Sequence, residues 1–525
     1  MANDRGMSPS YPTAQQDAIM NIRRFKTLQR LSALVSLLVL ASSAGAANND
    51  GQLAAFVERG MALWHVPGMA VAVVSSDEIL FRQGFGVTSI EGGVPIDEHT
   101  LFANASTTKA MVAAGILMLV DDGRLQLDDP IIRHLPELQF KDPLLTQQVT
   151  VRDLLAHRTG LPSTDFWAFG QHMPLPEQVE RLAAVAPAAP LRTRHIYQNT
   201  MFELLGLVIE RLSGQRWDQF LGSRLWQPLS MNRTFGARGQ IDGGKAHVLP
   251  HAYRDDKLAV SAWDLPADAA NAAGSVWSSI HDMSLWAQFL LRGGVREDGE
   301  RLISEAGFGE MFKPQSLIDR QDFYPTAHLT QPHWISYGLG WFQQDFQGRQ
   351  IDFHTGSLSG LIAIIGLDRE GNRAVIVLGN RDHAEMRHAV LWQVMDESGA
   401  AERRDWNQAI WELYQKSAEE REAKWAQTRQ NRLRKTHLTL APEHYAGRYM
   451  NPALGSIRIE LAGRDMLLRT VAVEVPMTHW HLDTFLVEYA PWELREFAEF
   501  RIGPDGRIAS LRLFGEEFQP ARGPD

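Results

Sequence analysis

The sequence predicts an α/β fold, an antiparallel β-sheet flanked by helices with a helical subdomain beside it, followed by a small all-β C-terminal barrel. Three features point to it. Apolar runs of strand length stand near residue 70 and again near residue 365, with helix-periodic segments between them, so the first and last strands are expected to close on each other. A charged stretch without Pro or Gly, 401–435, then separates two regions of different composition. Beyond Tyr445, short strand runs alternate with turns, as in small all-β domains.

Taken in order, residues 53–64 read as a helix that stops before Pro67-Gly68. Met69–Val74 and Ile79–Phe81 read as two strands about a turn at 75–78. Ala110–Val120 is apolar-periodic and stops at Asp121-Asp-Gly123, with glycine as the helix C-cap. Val151–Ala156, Phe202–Leu212 and Met283–Leu291 are further helices between loops rich in Pro, Gly and Asp. Leu361–Gly366 and Ala374–Leu378 form a hairpin about Asp368-Arg-Glu-Gly-Asn372. Segment 401–435 mixes both charge signs and reads as one or two solvated helices. Strands are then expected at 457–461, 466–469, 485–489, 497–502 and 508–514. The expected organisation is 1–47 signal region, 48–400 main α/β domain, 401–436 charged connector and 437–525 barrel.

The bulk chemistry narrows the function. A chain of 525 residues with 44% apolar and 22% charged residues is globular and long enough for several domains. Its net charge of -10 offers nothing to neutralise a phosphate backbone, so nucleic-acid partners are not expected. The absence of cysteine excludes disulfides, thiolate catalysis and Cys-ligated metals. The 15 Trp are read first as large packing residues. Arg23, Arg24, Lys26 and Arg30 precede an apolar run, Leu31–Leu40, and a small-residue site at Ala44-Gly45-Ala46. That succession predicts a cleaved signal peptide, hence a secreted or periplasmic protein with no stable membrane span after cleavage. Met20 is an alternative start that gives the signal a more ordinary charged head.

The chemistry-bearing residues begin at Ser106-Thr-Thr-Lys109, at the head of the Ala110 helix. Positions i and i+3 share a helix face, so a lysine whose pKa is lowered by burial sits where it can take the serine's proton. Tyr197-Gln-Asn199 precedes the Phe202 helix and brings a phenol for proton relay and an amide for orienting substrate. His354-Thr355-Gly356 lies on a strand-like segment just before the hairpin, where a glycine allows close backbone approach and a second N–H can join that of Ser106 in an oxyanion hole.

These three triplets in this order resemble the penicillin-recognising serine enzymes, and specifically the class C β-lactamase and D-alanyl-D-alanine carboxypeptidase branch. The surroundings resemble that branch as well: Pro67-Gly-Met-Ala-Val-Ala-Val, Gly84-Phe-Gly86, Leu154-Leu-Ala-His157-Arg-Thr-Gly160, Pro228-Leu229 with Met231, and Tyr337-Gly-Leu-Gly-Trp341. The resemblance spans roughly residues 52–395 and implies a β-lactamase/transpeptidase-like fold. It also implies that Ser106 is acylated, that Lys109 is the base, that Tyr197 relays protons and that Asn199, His354, Thr355 and Gly356 bind substrate. No metal or cofactor is implied. The expected substrate is a small molecule or peptide with an amide or ester bond. Peptidase or esterase activity is the first expectation; true β-lactamase activity, or a penicillin-binding sensor that acylates without turnover, are the alternatives. His354 stands where lactamases carry lysine, which weakens the expected grip on a substrate carboxylate. In the tail, Tyr445-Ala-Gly-Arg-Tyr449, His479-Trp-His481 and Phe518 resemble the lipocalin-like barrel found after the catalytic domain in such proteins. His479 and His481 are read as structural, since no third metal ligand accompanies them.

Overall fold

A computed structural model describes residues 51–521 apart from 264, 400–402, 464 and 490–493. The expected signal peptide lies outside these residues. Helix α1 covers residues 51–64. The central sheet has eight strands: β1 (Gly68–Val74), β2 (Ile79–Gly86), β3 (Ser316–Leu317), β4 (Ile335–Tyr337), β5 (Phe342–Phe346), β6 (Arg349–Leu358), β7 (Leu361–Asp368) and β8 (Arg373–Gly379), in spatial order β2-β1-β8-β7-β6-β5-β4-β3. The first and last strands meet as expected: β1 pairs antiparallel with β8, from Met69 opposite Gly379 to Val74 opposite Ala374. β1 and β7 are buried along their whole length, and β8 beyond its first residue. Covered on both faces, these strands read as continuous apolar runs.

Between β2 and β3 the chain builds helices α2 (Thr108–Asp121), α3 (Asp165–Phe169), α4 (Asn199–Ser213) and α5 (Ile280–Leu291). α2 is buried from Thr108 to Leu119, which is why its sequence is apolar all round. It ends as its sequence predicts, with Gly123 at φ 69° and the Arg124 N–H returning to the Leu119 carbonyl. Helix α6 (Met386–Met395) follows the sheet.

The charged segment forms a single helix, α7 (Trp406–Gln430), and it is more than a solvated connector. Trp411 meets Trp64 edge to face at 4.9 Å, while Trp425 stacks on Trp480 of the next domain at 5.5 Å. The tail closes an antiparallel eight-stranded barrel from β9 (Gly447–Asn451) through β10 (Gly455–Ala462), β11 (Asp465–Arg469), β12 (Glu474–His481), β13 (Thr484–Tyr489), β14 (Leu494–Ile502) and β15 (Ile508–Leu513) to β16 (Glu516–Pro520). Its interior is a separate core that includes Tyr445, Tyr449, Phe485, Phe500 and Phe518. His479 and His481 serve local structure: the first ring bonds the Leu482 carbonyl and the second accepts from the Leu433 N–H.

Candidate active site

Ser106 sits in a 3-10 turn, Ala105–Thr107, that leads directly into α2. Ala105 holds φ 45°, a left-handed conformation that a non-glycine residue adopts only when its surroundings impose it. What imposes it is β6. A Cβ on Gly356 would come within 2.3 Å of the Asn104 carbonyl and 3.0 Å of the Ser106 nitrogen. The glycine of the third triplet therefore makes room for the serine turn against the strand. This packing against the serine turn is a demand on Gly356 beyond the expected approach of substrate backbone to the strand.

Lys109 is fully buried one turn along. Its Nζ lies 3.1 Å from Ser106 Oγ, 2.7 Å from Asn199 Oδ1 and 2.6 Å from the Ala273 carbonyl. Burial lowers its pKa to about 7, against the opposing pull of Asp165 and Glu203. Asn199, the first residue of α4, spends its other amide end on Asp165 Oδ1 at 2.9 Å. A carboxylate only accepts, so this contact fixes the amide orientation and turns Oδ1 toward Lys109.

Tyr197 lies in the loop before α4, with its ring 4.9 Å from Lys109 Nζ. Its buried hydroxyl has no hydrogen-bond partner of ordinary geometry among the described residues. Burial pushes its pKa well above 10, with the nearby Ser106 hydroxyl pulling the other way.

His354 differs from its expected role. The ring is buried, donates from Nδ1 to the Thr355 carbonyl at 2.7 Å, and accepts at Nε2 from the Tyr337 hydroxyl at 2.9 Å. Burial, reinforced by Lys109, lowers its pKa to about 3. With both nitrogens engaged within the protein and the ring kept neutral by burial, it holds the Tyr337 hydroxyl in place. Thr355 is likewise engaged, its hydroxyl 2.5 Å from that of Tyr324. β6 pairs with β5 only over 349–353 but with β7 over 351–358. Among the described residues, its edge beyond Phe353 thus has no strand partner on the β5 side.

This arrangement is that of a protein family. Residues 53–400 match the family model described as Beta-lactamase. The chain belongs to the beta-lactamase family. It is a serine hydrolase of that family, and residues 432–523 match a second model described only as a domain of unknown function, DUF3471. A relative from Aspergillus campestris named unguisins hydrolase is 26% identical over 502 residues, covering 89% of this chain and 90% of its own. The structure of an octameric penicillin-binding protein homologue from Pyrococcus abyssi superposes with a TM-score of 0.57 at 21% identity, over 89% of this chain and 99% of that one. A D-stereospecific amidohydrolase from Streptomyces superposes with a TM-score of 0.52 at 24% identity, over 64% of this chain and 95% of that one.

Within this beta-lactamase-family site, several residues escaped the sequence reading. Asp165 has no local signature; only folding brings α3 to Asn199. Tyr337 was visible in the Tyr-Gly-Leu-Gly-Trp segment, but nothing there says that it caps His354. Glu203, on the buried side of α4, is pushed up to about 8 by burial and stands within electrostatic reach of Lys109.

Proposed function

We propose that this enzyme hydrolyses an amide or ester through an acyl-enzyme on Ser106, as a peptidase- or esterase-type member of its family. The observation that carries the reading is the surroundings of the Lys109 amine. A neutral amine has two N–H donors and one lone pair. Two of its neighbours, the Ala273 carbonyl and Asn199 Oδ1, only accept, and the third, Ser106, has a proton to give. The neutral form satisfies all three at once, and a pKa of about 7 keeps much of the population neutral at neutral pH. Lys109 then takes the Ser106 proton as Oγ attacks the substrate carbonyl, whose oxygen is held by the Ser106 N–H and a neighbouring backbone donor. Tyr197, protonated across the physiological range, passes a proton to the leaving group as the carbon–heteroatom bond breaks. Water then attacks the acyl carbonyl, giving its proton back through the same pair and releasing the acid and Ser106.

The uncharged His354 supports amide or ester substrates that need no free carboxylate over penicillins. The unpaired edge of β6 supports a substrate with peptide backbone, laid along it as an added strand. Residues 23–46, with their succession of charged, apolar and small residues, support export to the periplasm or beyond. A fluorophosphonate label should attach to one serine, with Ser106→Ala abolishing it. Turnover of p-nitrophenyl esters, nitrocefin and D-amino-acid peptides then ranks the substrate classes. Labelling of the Ser106→Ala protein at full stoichiometry would refute the assignment, and a stable adduct without product release would favour a sensor.

A further inference from the structure

Next to the site is a cleft of about 910 Å³ whose two walls come from different parts of the chain. One wall is catalytic: Phe166 and Phe169 of α3, and Leu358 at the end of β6. The other is the barrel: Leu454 before β10, Leu494 at the start of β14 and Phe514 after β15. The inner edge is formed by Asp165 and Ser357. Asp165 bonds Asn199, and Ser357 follows the glycine packed against the Ser106 turn, so each is one contact from the nucleophile's surroundings.

The walls are fixed to each other. Trp167 Nε1 donates to the Ala453 carbonyl at 2.8 Å, Gln171 Nε2 to the Ser456 carbonyl at 2.8 Å, and the Thr470 hydroxyl to the Gly170 carbonyl at 2.5 Å. Phe166 and Phe514 meet across the cleft with ring centroids 5.1 Å apart. A concave, mostly apolar space with polar groups at its margins, its walls tied by side-chain hydrogen bonds to backbone carbonyls, is built to take an apolar ligand.

We infer that the barrel is part of the substrate site, and that this cleft holds the apolar acyl arm of the substrate. The inference rests on the Ser106 reading above. The direction follows from Tyr197, the donor to the leaving group. Its ring packs by Phe342 and His354, on the β5 side of β6 before Gly356. The cleft is lined by Ser357 and Leu358, beyond Gly356, and neither Tyr197 nor its neighbours Phe342 and His354 line it. The leaving group departs toward the tyrosine and the acyl arm lies under the barrel. The chemical class is an acyl group with a long hydrocarbon or hydrophobic amino-acid side chain.

The test uses the full chain and two probes, p-nitrophenyl acetate and p-nitrophenyl octanoate, with active sites counted by fluorophosphonate titration. The readout is the ratio of kcat/KM for the octanoyl over the acetyl ester. Leu454→Asp places a charge on the barrel wall, and Leu454→Trp fills the cleft with apolar volume and removes no polar contact. Both should lower the ratio tenfold or more per labelled site. A ratio within twofold of the parent in every variant that still titrates would overturn the inference and leave the Ser106 reading standing. A parent protein that neither labels at Ser106 nor turns over either ester would overturn both.

Discussion

At the scale of single residues, the site is a set of groups kept uncharged by burial. Lys109 with a pKa of about 7 sets the first prediction: kcat/KM rises with pH and reaches its plateau above about 7, because the neutral amine is the base. Lys109→Arg keeps the charge but cannot lose its proton, so turnover should fall by about a hundredfold or more at every pH. A flat profile in the parent would remove Lys109 from the role. The same lysine has a stability consequence. Its folded pKa lies below the ordinary value of 10.5, so the unfolded chain binds more protons between about 7 and 10.5, and stability rises with pH across that window. Lys109→Met should therefore raise the melting temperature most at pH 7 and below, and little near pH 10. A lower melting temperature at pH 6 would show that the hydrogen bonds to Asn199 and Ala273 outweigh burial of the charge. For His354, a pKa of about 3 means a neutral ring throughout the working range. The preference between matched esters with and without a carboxylate should hold constant from pH 5.5 to 8.5. A change with a midpoint near 6.5 would show that the ring titrates and reads charge after all.

At the scale of elements, what was legible in the sequence was whatever short-range chemistry specifies. The α2 helix and its glycine stop, the β7–β8 hairpin and the three triplets are all local patterns, and the structure brings Ser106 and Asn199 to the Lys109 amine and the third triplet against the Ser106 turn. What was not legible depends on contacts distant in sequence. Asp165 reaches Asn199 across 34 residues, and His354 is kept neutral by burial and capped by Tyr337, 17 residues away, surroundings that no reading of the triplet alone supplies. Barrel strands β9, β12 and β16 carry no run in the sequence that predicts them. β12 carries Pro476, Thr478 and two histidines, and its alternation of buried and exposed residues emerges only once its neighbours are in place. Gly356 joins the two scales. Its contact with the Asn104 carbonyl is a packing demand, yet the turn it abuts carries Ser106, the proposed nucleophile. Gly356→Ala should push the Ser106 turn off β6 and lower kcat by about a hundredfold, the scale of a lost oxyanion donor, while circular dichroism remains that of the parent. Unimpaired kcat would show that the turn does not depend on the strand.

At the scale of the whole molecule, α7 and the loop before β10 bind the barrel to the catalytic part at separate places. The first contact is aromatic, Trp425 on Trp480, and the second is the set of hydrogen bonds from α3 and the residues after it. Calorimetry of the parent should give one unfolding transition. The double variant Trp425→Ala, Gln171→Ala should release the barrel as a separate transition at lower temperature. Two transitions in the parent would mean that the contacts do not couple the parts.

The path from the barrel to Lys109 is short: Ala453 to Trp167 on α3, Asp165 on the same helix to Asn199, and Asn199 to the amine. Selection acting on such a molecule has two independent handles. On the proposed mechanism, changes in the three triplets alter whether chemistry occurs at all. Changes in the loop 451–454 leave every triplet intact, yet move the wall that the substrate meets. Two enzymes with identical triplets can therefore differ in the acyl group they accept through this barrel loop alone.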